Sequence, residues 1–358
     1  MNIAFFGWVN ACDPSRLGGT EALVRRLALG LSHRGHTVSV VMYGTKNNQI
    51  RDDFFGEPMT CRYFRSFSDA LRELVSLKCT TVIKTYIHKR HCLQYLAFRR
   101  RQQERMRFLT ILMSGPDRML KERLGMMLKA KYCNTVLAVS PTLATALQEC
   151  GTHAVWLPPP VPDEYFASPR DGRKARVVVS FLGRIDPNKG LHEVSSVFEA
   201  LSRTDRFDLR IKGYYIPDNP ESVQLHERLQ RLAGVEYSAE AQDSCYDPRR
   251  EQEVLRYLLQ TDVLVLPYRN LTGTLGLPLI VLEGLAARCL VISRDVGDIS
   301  RIVARNDLLM HRPHDLREKL ERLSSVEAVE AERARLDTSS TFSTFAATRV
   351  VDRLIHCF

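Results

Sequence analysis

The sequence has no C-x-x-C pair, and its nine cysteines, an odd number, are scattered from Cys12 to Cys357. A disulfide framework and a zinc site are both disfavoured, and a reducing cytoplasm is the expected compartment. No run of 18 apolar residues occurs, so no transmembrane helix is expected. The first residues, MNIAFFGWVNACD, lack a basic start and carry only a short apolar run. That pattern fits a core strand better than a signal peptide. The nicotinamide fingerprint G-x-G-x-x-G is missing. No Asp-x-Asp pair is present either, so a bound divalent metal is not implied. What is present is a soluble globular composition, 44% apolar and 26% charged, over 358 residues, a length that favours two domains.

Strand-like and helix-like segments alternate along the chain. Ile3–Gly7 is a short apolar strand, and Thr20–Arg34 has a helical apolar period at 23, 24, 27, 28 and 31. Gly35 then caps this helix, and Thr37–Met42 is a β-branched strand. Cys61–Arg65, Thr80–Tyr86, Arg107–Met113 and Thr135–Val139 continue as strands, with helices expected over 67–77, 117–130 and from Ser140-Pro141 onward. Leu157-Pro-Pro-Pro-Val-Pro162 can continue neither a helix nor a central strand. The linker between domains is placed there, with polar residues following to Lys174. The alternation restarts with strands at 176–182, 208–212, 262–266 and 289–293 and helices at 189–202, 222–233, 251–259 and 278–287. This order implies two doubly wound parallel sheets, with chemistry expected between them, beyond the carboxyl ends of the strands.

Net charge is +10 and unevenly spread: from Lys84 to Lys131, thirteen Lys or Arg stand against Glu104, Asp117 and Glu122. A solvated helix surface is one reading. A patch for an anionic partner, whether a membrane surface, a phosphorylated or lipid-linked acceptor, or nucleic acid, is the other. No nucleic-acid motif interleaves aromatics with these basic residues, so nucleic acid ranks last.

Three stretches are candidates for chemistry. Asp13-Pro-Ser-Arg-Leu-Gly-Gly-Thr-Glu21 joins the first strand to the first helix. Gly18 and Gly19 would let the backbone approach a ligand, and the helix start offers N–H groups to an anion; an ordinary turn with Thr20 as N-cap is the alternative. Phe181-Leu-Gly-Arg-Ile-Asp-Pro-Asn-Lys-Gly190 sets Arg184 and Lys189 at the end of a strand, where a guanidinium and an ammonium together suit a diphosphate. Thr272-Gly-Thr-Leu-Gly-Leu-Pro-Leu-Ile-Val-Leu-Glu283 follows the strand Asp262–Leu266. Gly273, Gly276 and Pro278 shape its loop, with Pro278 suited to the first helical position. N–H groups at Leu275, Gly276 and Leu277 would point to a phosphate. Glu283 shares a helix side with Gly276, Leu279, Ile280 and Ala287, away from the packing positions Leu282, Leu285 and Ala286. It would face either solvent or the diol of a ribose.

Taken in order, these stretches resemble the family-4 retaining glycosyltransferases of group 1 type. GGTEALVRRLALGLSHRGHTVSVV is similar to that family's opening, GRIDPNKG to its G-R-x4-K-G element, and DVLVLPY…GLPLIVLEGLAARCLVIS with GDISRIV to its nucleotide-sugar helix. TVLAVSPTLATALQECG…WLPPPVPDEYF resembles the end of its N-terminal domain.

The resemblance implies a GT-B architecture, two Rossmann-like domains facing across a cleft. Residues 1–160 would bind the acceptor and 175–340 the nucleotide sugar, and a C-terminal helix in 341–358 would pack back on the first. It implies that Arg184 and Lys189 clamp the donor diphosphate and that Glu283 holds the ribose. Gly276 and Leu277 would give backbone contacts to phosphate, and Gly18 and Gly19 would lie near phosphate or acceptor. Two departures stand out. The family's first Glu falls on Leu275, and a family His falls on Ser114, leaving Ser114, His88 or Asp117 to meet acceptor or sugar. The implied function is retaining, metal-independent transfer from a nucleotide sugar, with no cofactor, to a carbohydrate, lipid-linked or other anionic acceptor. The implied setting is the cytoplasm, with peripheral membrane contact. A catalytically impaired partner or sugar-nucleotide binder, a GT-B-like epimerase or a phosphorylase are the alternatives within this fold.

Overall fold

The computed structural model describes residues 1–16, 18–52, 54, 56–113, 133–170, 175–241, 247–271, 274–303, 306–312, 314–336 and 342–358. They form two compact units, Met1–Pro160 with Ala347–Phe358, and Val161–Ala346.

The first unit is built on eight strands: β1 (Asn2–Trp8), β2 (Thr37–Tyr43), β3 (Gln49–Arg51), β4 (Met59–Phe64), β5 (Thr81–Lys84), β6 (Arg107–Leu112), β7 (Thr135–Ala138) and β8 (Ala154–Trp156). Their order is β3-β4-β2-β1-β5-β6-β7-β8. All neighbours are parallel except β3, which runs antiparallel to β4. Strict alternation of strand and helix therefore fails at this edge. Gln49–Arg51 is three exposed residues with no apolar period, and a short polar edge strand of this kind leaves no hydrophobic signal. The inner strands are covered on both faces, which is why Ile3–Phe6 and Val40–Met42 read as continuous apolar runs.

The helix Gly19–His33 buries Leu23, Val24, Leu27, Ala28 and Leu31. It begins before Thr20: the extended Gly18 is its cap residue, and the Gly18 carbonyl accepts from the Ala22 N–H at 2.9 Å, which closes the first turn two residues earlier than a Thr20 cap would. The helix Ala347–Ile355 lies against it. A Cβ at Gly30 would come 2.4 Å from Val351 Cγ2, and Arg34 pairs with Asp352 at 2.6 Å. Leu157–Val161 is buried, and Arg26 donates to the Pro160 carbonyl at 3.1 Å. The basic helix Cys92–Gln102 inserts Tyr95 into the core and exposes Leu93. The helix expected at 117–130 lies outside the described residues.

The second unit has six strands, all parallel: β9 (Val177–Ile185), β10 (Phe207–Tyr215), β11 (Val235–Ala241), β12 (Val263–Leu266), β13 (Leu290–Arg294) and β14 (Leu309–Met310), in the order β11-β10-β9-β12-β13-β14. Asp262 anchors the amino edge. One of its oxygens accepts from the Val178 N–H at 2.9 Å, and the other meets Arg170 at 3.3 Å and Arg333 at 3.0 Å. One carboxylate thereby ties two distant segments to the start of β12. Both sheets reverse their winding once: between β1 and β5 in the first unit, and between β9 and β12 in the second. In an open parallel sheet, such a point opens a crevice at the carboxyl ends of the two strands.

Candidate functional site

The reversal point of the second unit collects most of the residues singled out by sequence. At the end of β9, Arg184 pairs with Asp186 at 2.9 Å, and Asp186 also accepts from the Asn188 N–H at 2.8 Å. The turn Pro187–Lys189 follows, and Gly190 closes it in the left-handed region at φ 76°. A Cβ there would lie 2.0 Å from the Pro267 carbonyl oxygen, so only glycine lets this loop close onto the end of β12.

That closure brings Lys189 beside Tyr268, with the ammonium 4.8 Å from the ring centroid and bonded to the Thr274 hydroxyl. Lys189 is only 6% exposed. Burial, together with the Arg184 charge and against the pull of Asp186, drives its pKa down from 10.5 to about 8. The Tyr268 phenol is pushed upward by burial, with the charges of Tyr214 and Glu283 adding to this and Arg184 opposing it. Tyr268 thus lies beneath the Lys189 ammonium, within reach of the charges of Arg184 and Glu283.

Glu283 lies on the helix Leu279–Ala286, which is buried on every side except at Ile280. This corrects the expected division into a packing face and a ligand face: a helix apolar all round is a core helix. Gly284 is pressed against β12, a Cβ there falling 2.5 Å from Leu264 Cδ2. Glu283 is itself buried, which removes the solvent-facing reading. Pro278 is the cap residue and not the first helical one, because its ψ of 130° is extended. Leu275, Gly276 and Leu277 are buried. Among the described residues, their N–H groups donate no hydrogen bond. Buried N–H groups of this kind are rare and suit an acceptor such as phosphate oxygen. The Gly276 carbonyl is crowded by Gly297, where a Cβ would come within 2.8 Å of its oxygen. Thr272 and Gly273 lie outside the described residues.

The remaining expected residues belong elsewhere. Gly18, Gly19 and His88 are in the first unit. At Gly18 the Glu21 carboxylate folds over the helix start, 2.2 Å from where a Cβ would stand. Burial raises its pKa, while its own N–H and Arg16 oppose the rise. The helix start therefore already carries a carboxylate. His88 follows β5 and accepts from the Arg90 N–H at 3.4 Å, and its own N–H donates to the Tyr43 hydroxyl at 2.9 Å. Ser114 and Asp117 lie outside the described residues.

Sequence reasoning did not single out Asp186, Tyr214, Tyr268 or Thr274. It also missed the pair Glu193–Arg294, closed at 2.5 Å between the helix Leu191–Leu201 and the carboxyl end of β13. Tyr268 had a signal, an aromatic just past an apolar strand. Asp186 pairs with a residue two positions away, whereas Thr274 and the Glu193–Arg294 pair are found only through contacts distant in sequence.

The chain is similar to known proteins in fold and, over part of its length, in sequence. Structural likeness covers the chain: to the E. coli structure described as "Trehalose-6-phosphate … bound with UDP-2-fluoro glucose" (TM-score 0.69, 12% identity, 100% of this chain and 98% of that one). It extends to the lipopolysaccharide outer core galactosyltransferase WaaB (0.64, 16%, 99% and 98%). The α,α-trehalose-phosphate synthase (UDP-forming) from Burkholderia vietnamiensis is also similar (0.67, 13%, 99% and 97%). The fold is GT-B, that of a large class of glycosyltransferases. Residues 176–325, within the second unit, match the family Glycosyl transferases group 1. A curated relative, the putative teichuronic acid biosynthesis glycosyltransferase TuaC of Bacillus subtilis (strain 168), is 27% identical over 133 residues. That match spans 37% of this chain and 28% of the relative.

Proposed function

We propose that the chain transfers a sugar from a nucleoside-diphosphate sugar to an acceptor hydroxyl, with retention of anomeric configuration and without a metal. The observation that carries this reading is the buried Lys189 with the half-buried Arg184 at the reversal point of the second unit, within the stretch that matches the group 1 family. A guanidinium and an under-compensated ammonium are suited to a diphosphate.

In the reaction, the bond from the anomeric carbon to the diphosphate oxygen breaks and a bond to the acceptor oxygen forms on the same face. The acceptor proton passes to the leaving phosphate. Charge grows on the departing oxygens, and Arg184, Lys189 and the N–H groups of Leu275 to Leu277 meet it there, already oriented. Glu283 accepts hydrogen bonds from the ribose diol. The first unit takes the acceptor.

Arg184→Ala is expected to lower turnover 10²-fold or more, by analogy with the loss of one oxyanion donor; a near-wild-type rate in that variant would sink the assignment. Screening nucleotide sugars by thermal shift identifies the donor, because ligand binding raises apparent stability by mass action. Leu275, apolar where the resembling family has a carboxylate, supports a second reading: a sugar-nucleotide binder without turnover. Release of nucleoside diphosphate by the purified chain separates the two.

A further inference from the structure

The first unit has a reversal point of its own, between β1 and β5, and its contents are unlike those of the second. Trp8 ends β1 and Tyr86 follows β5. The Trp8 N–H donates to the Tyr86 carbonyl at 2.9 Å, and their rings lie 6.0 Å apart at 43°. The Cδ1–Nε1 edge of the indole lies against Gly44, at the end of β2, where a Cβ would come within 2.8 Å of both atoms. Gly44 has φ 90°, so the backbone there favours glycine and leaves room for the ring. An aromatic ledge thus runs across the carboxyl ends of β2, β1 and β5. Tyr86 is 43% exposed.

The loop that carries Tyr86 reads KTYIHKRH from Lys84 to His91 and holds no acid. Lys89 and Arg90 are exposed. The loop is held on the buried Tyr43: the His88 backbone N–H donates to its hydroxyl at 2.9 Å, and the His91 ring stands edge-on to it at 5.3 Å and accepts from Arg90 Nε at 3.0 Å. The acids on the facing loop are engaged. Asp13 accepts from Ser15 at 2.6 Å and from Tyr63 at 3.1 Å and meets Arg16 at 3.6 Å, and Glu21 folds over its own helix start. Aromatic faces stack on the apolar faces of sugar rings, and exposed Lys and Arg beside them select for negative charge.

We propose that the β1/β5 crevice is the acceptor subsite and takes an anionic saccharide, its ring stacked on Trp8 and Tyr86 and its carboxylate or phosphate held by Lys89 and Arg90. This rests on the reading of the chain as a two-substrate sugar transferase: each unit offers one reversal point, and the diphosphate chemistry lies in the second. It also implies a preceding reaction that leaves a uronate or a phosphate on the acceptor.

The chain has two tryptophans, so Trp156→Phe leaves Trp8 as the sole indole reporter. Emission of that variant is titrated with a glucuronate disaccharide, a hexose 6-phosphate and a neutral disaccharide, all without donor. The expected result is a saturable Trp8 response to at least one anionic sugar, with at least tenfold weaker binding of the neutral one. A response to the uronate alone or to the phosphate alone identifies the source of the charge. Tyr86→Ala should weaken binding of the responsive sugar, and Lys89→Ala with Arg90→Ala should abolish the discrimination. These side chains are exposed, so the variants test binding and not folding. No Trp8 response to either anionic sugar overturns the proposal. So does equal affinity for the neutral sugar, or discrimination that survives loss of both cations. Because no donor is used, such a failure leaves the nucleotide-binding reading of the second unit intact; loss of donor binding would fail that reading alone.

Discussion

Lys189→Met offers a direct test of the charge argument. Holding an ammonium in a site 6% exposed, with Arg184 close by, lowers its pKa from 10.5 to about 8. A difference of that size opposes the cation by about 3 kcal/mol. The bond to Thr274 and the face of Tyr268 return about 1–2 kcal/mol. Methionine keeps the stem's packing and removes the charge, so the unliganded variant should be more stable at pH 7 by about 1–2 kcal/mol. The melting temperature of the second unit should rise by about 2–4 °C per kcal/mol.

The pH dependence has a definite sign. The unfolded chain holds the Lys189 proton more tightly than the folded one, so wild-type stability rises as pH increases from about 8 to 10.5. The advantage of methionine should therefore shrink over that interval. Nucleoside-diphosphate affinity should fall by 10²-fold or more at pH 7, a loss typical of removing a charged partner from a buried anion. Calorimetric unfolding and titration on the same preparations decide the matter. A variant less stable than wild type by more than 1 kcal/mol, or one that binds diphosphate normally, would refute the reasoning.

Gly190→Ala should cost 2 kcal/mol or more by chemical denaturation and weaken diphosphate binding, since its Cβ meets the Pro267 carbonyl and its φ is left-handed. Arg288 occupies the left-handed region at φ 59° just past the helix Leu279–Ala286, so Arg288→Gly should stabilise the chain by about 1 kcal/mol without changing diphosphate affinity.

The alternation of apolar strands and amphipathic helices was legible because inner parallel strands, buried on both faces, concentrate Val, Ile and Leu. It faded at the edges. β11 alternates half-buried Val, Tyr and Ala with exposed Glu and Ser and so has no apolar run, and β8 is three residues long. Arg184 and Lys189 were legible because a strand end, two glycines and two cations lie within one short stretch. The carboxylate that pairs with Arg184, the ring beneath Lys189 and the Glu193–Arg294 pair were not. The last two join residues separated by 79 and 101 positions, and no local period records which partner the fold selects. Glu283 shows the same limit. Its helix is apolar enough to be buried all round, so a wheel built from sequence divided faces that the packing does not distinguish.

Leu275 is where local sequence and site chemistry meet most sharply. It is 4% exposed and adjoins Thr274, the residue that takes the Lys189 bond. A carboxylate at this position would sit in the same loop, close to the ammonium and to any bound diphosphate. At roughly 8 Å and an effective dielectric of about 20, one added negative charge is worth about 2 kcal/mol. Leucine therefore keeps the site one charge more positive, which favours a diphosphate held by the cations and N–H groups of the protein itself. Leu275→Glu should raise the Lys189 pKa and weaken the binding of a nucleoside diphosphate by about tenfold or more at pH 7.5. The loss should diminish as pH falls and the introduced carboxyl protonates. Titration with the diphosphate alone isolates this effect from any contact with the donor sugar. Unchanged or tighter binding would show that charge at this loop does not govern the site, and the assignment of Lys189 and Arg184 as a diphosphate clamp would lose its electrostatic basis.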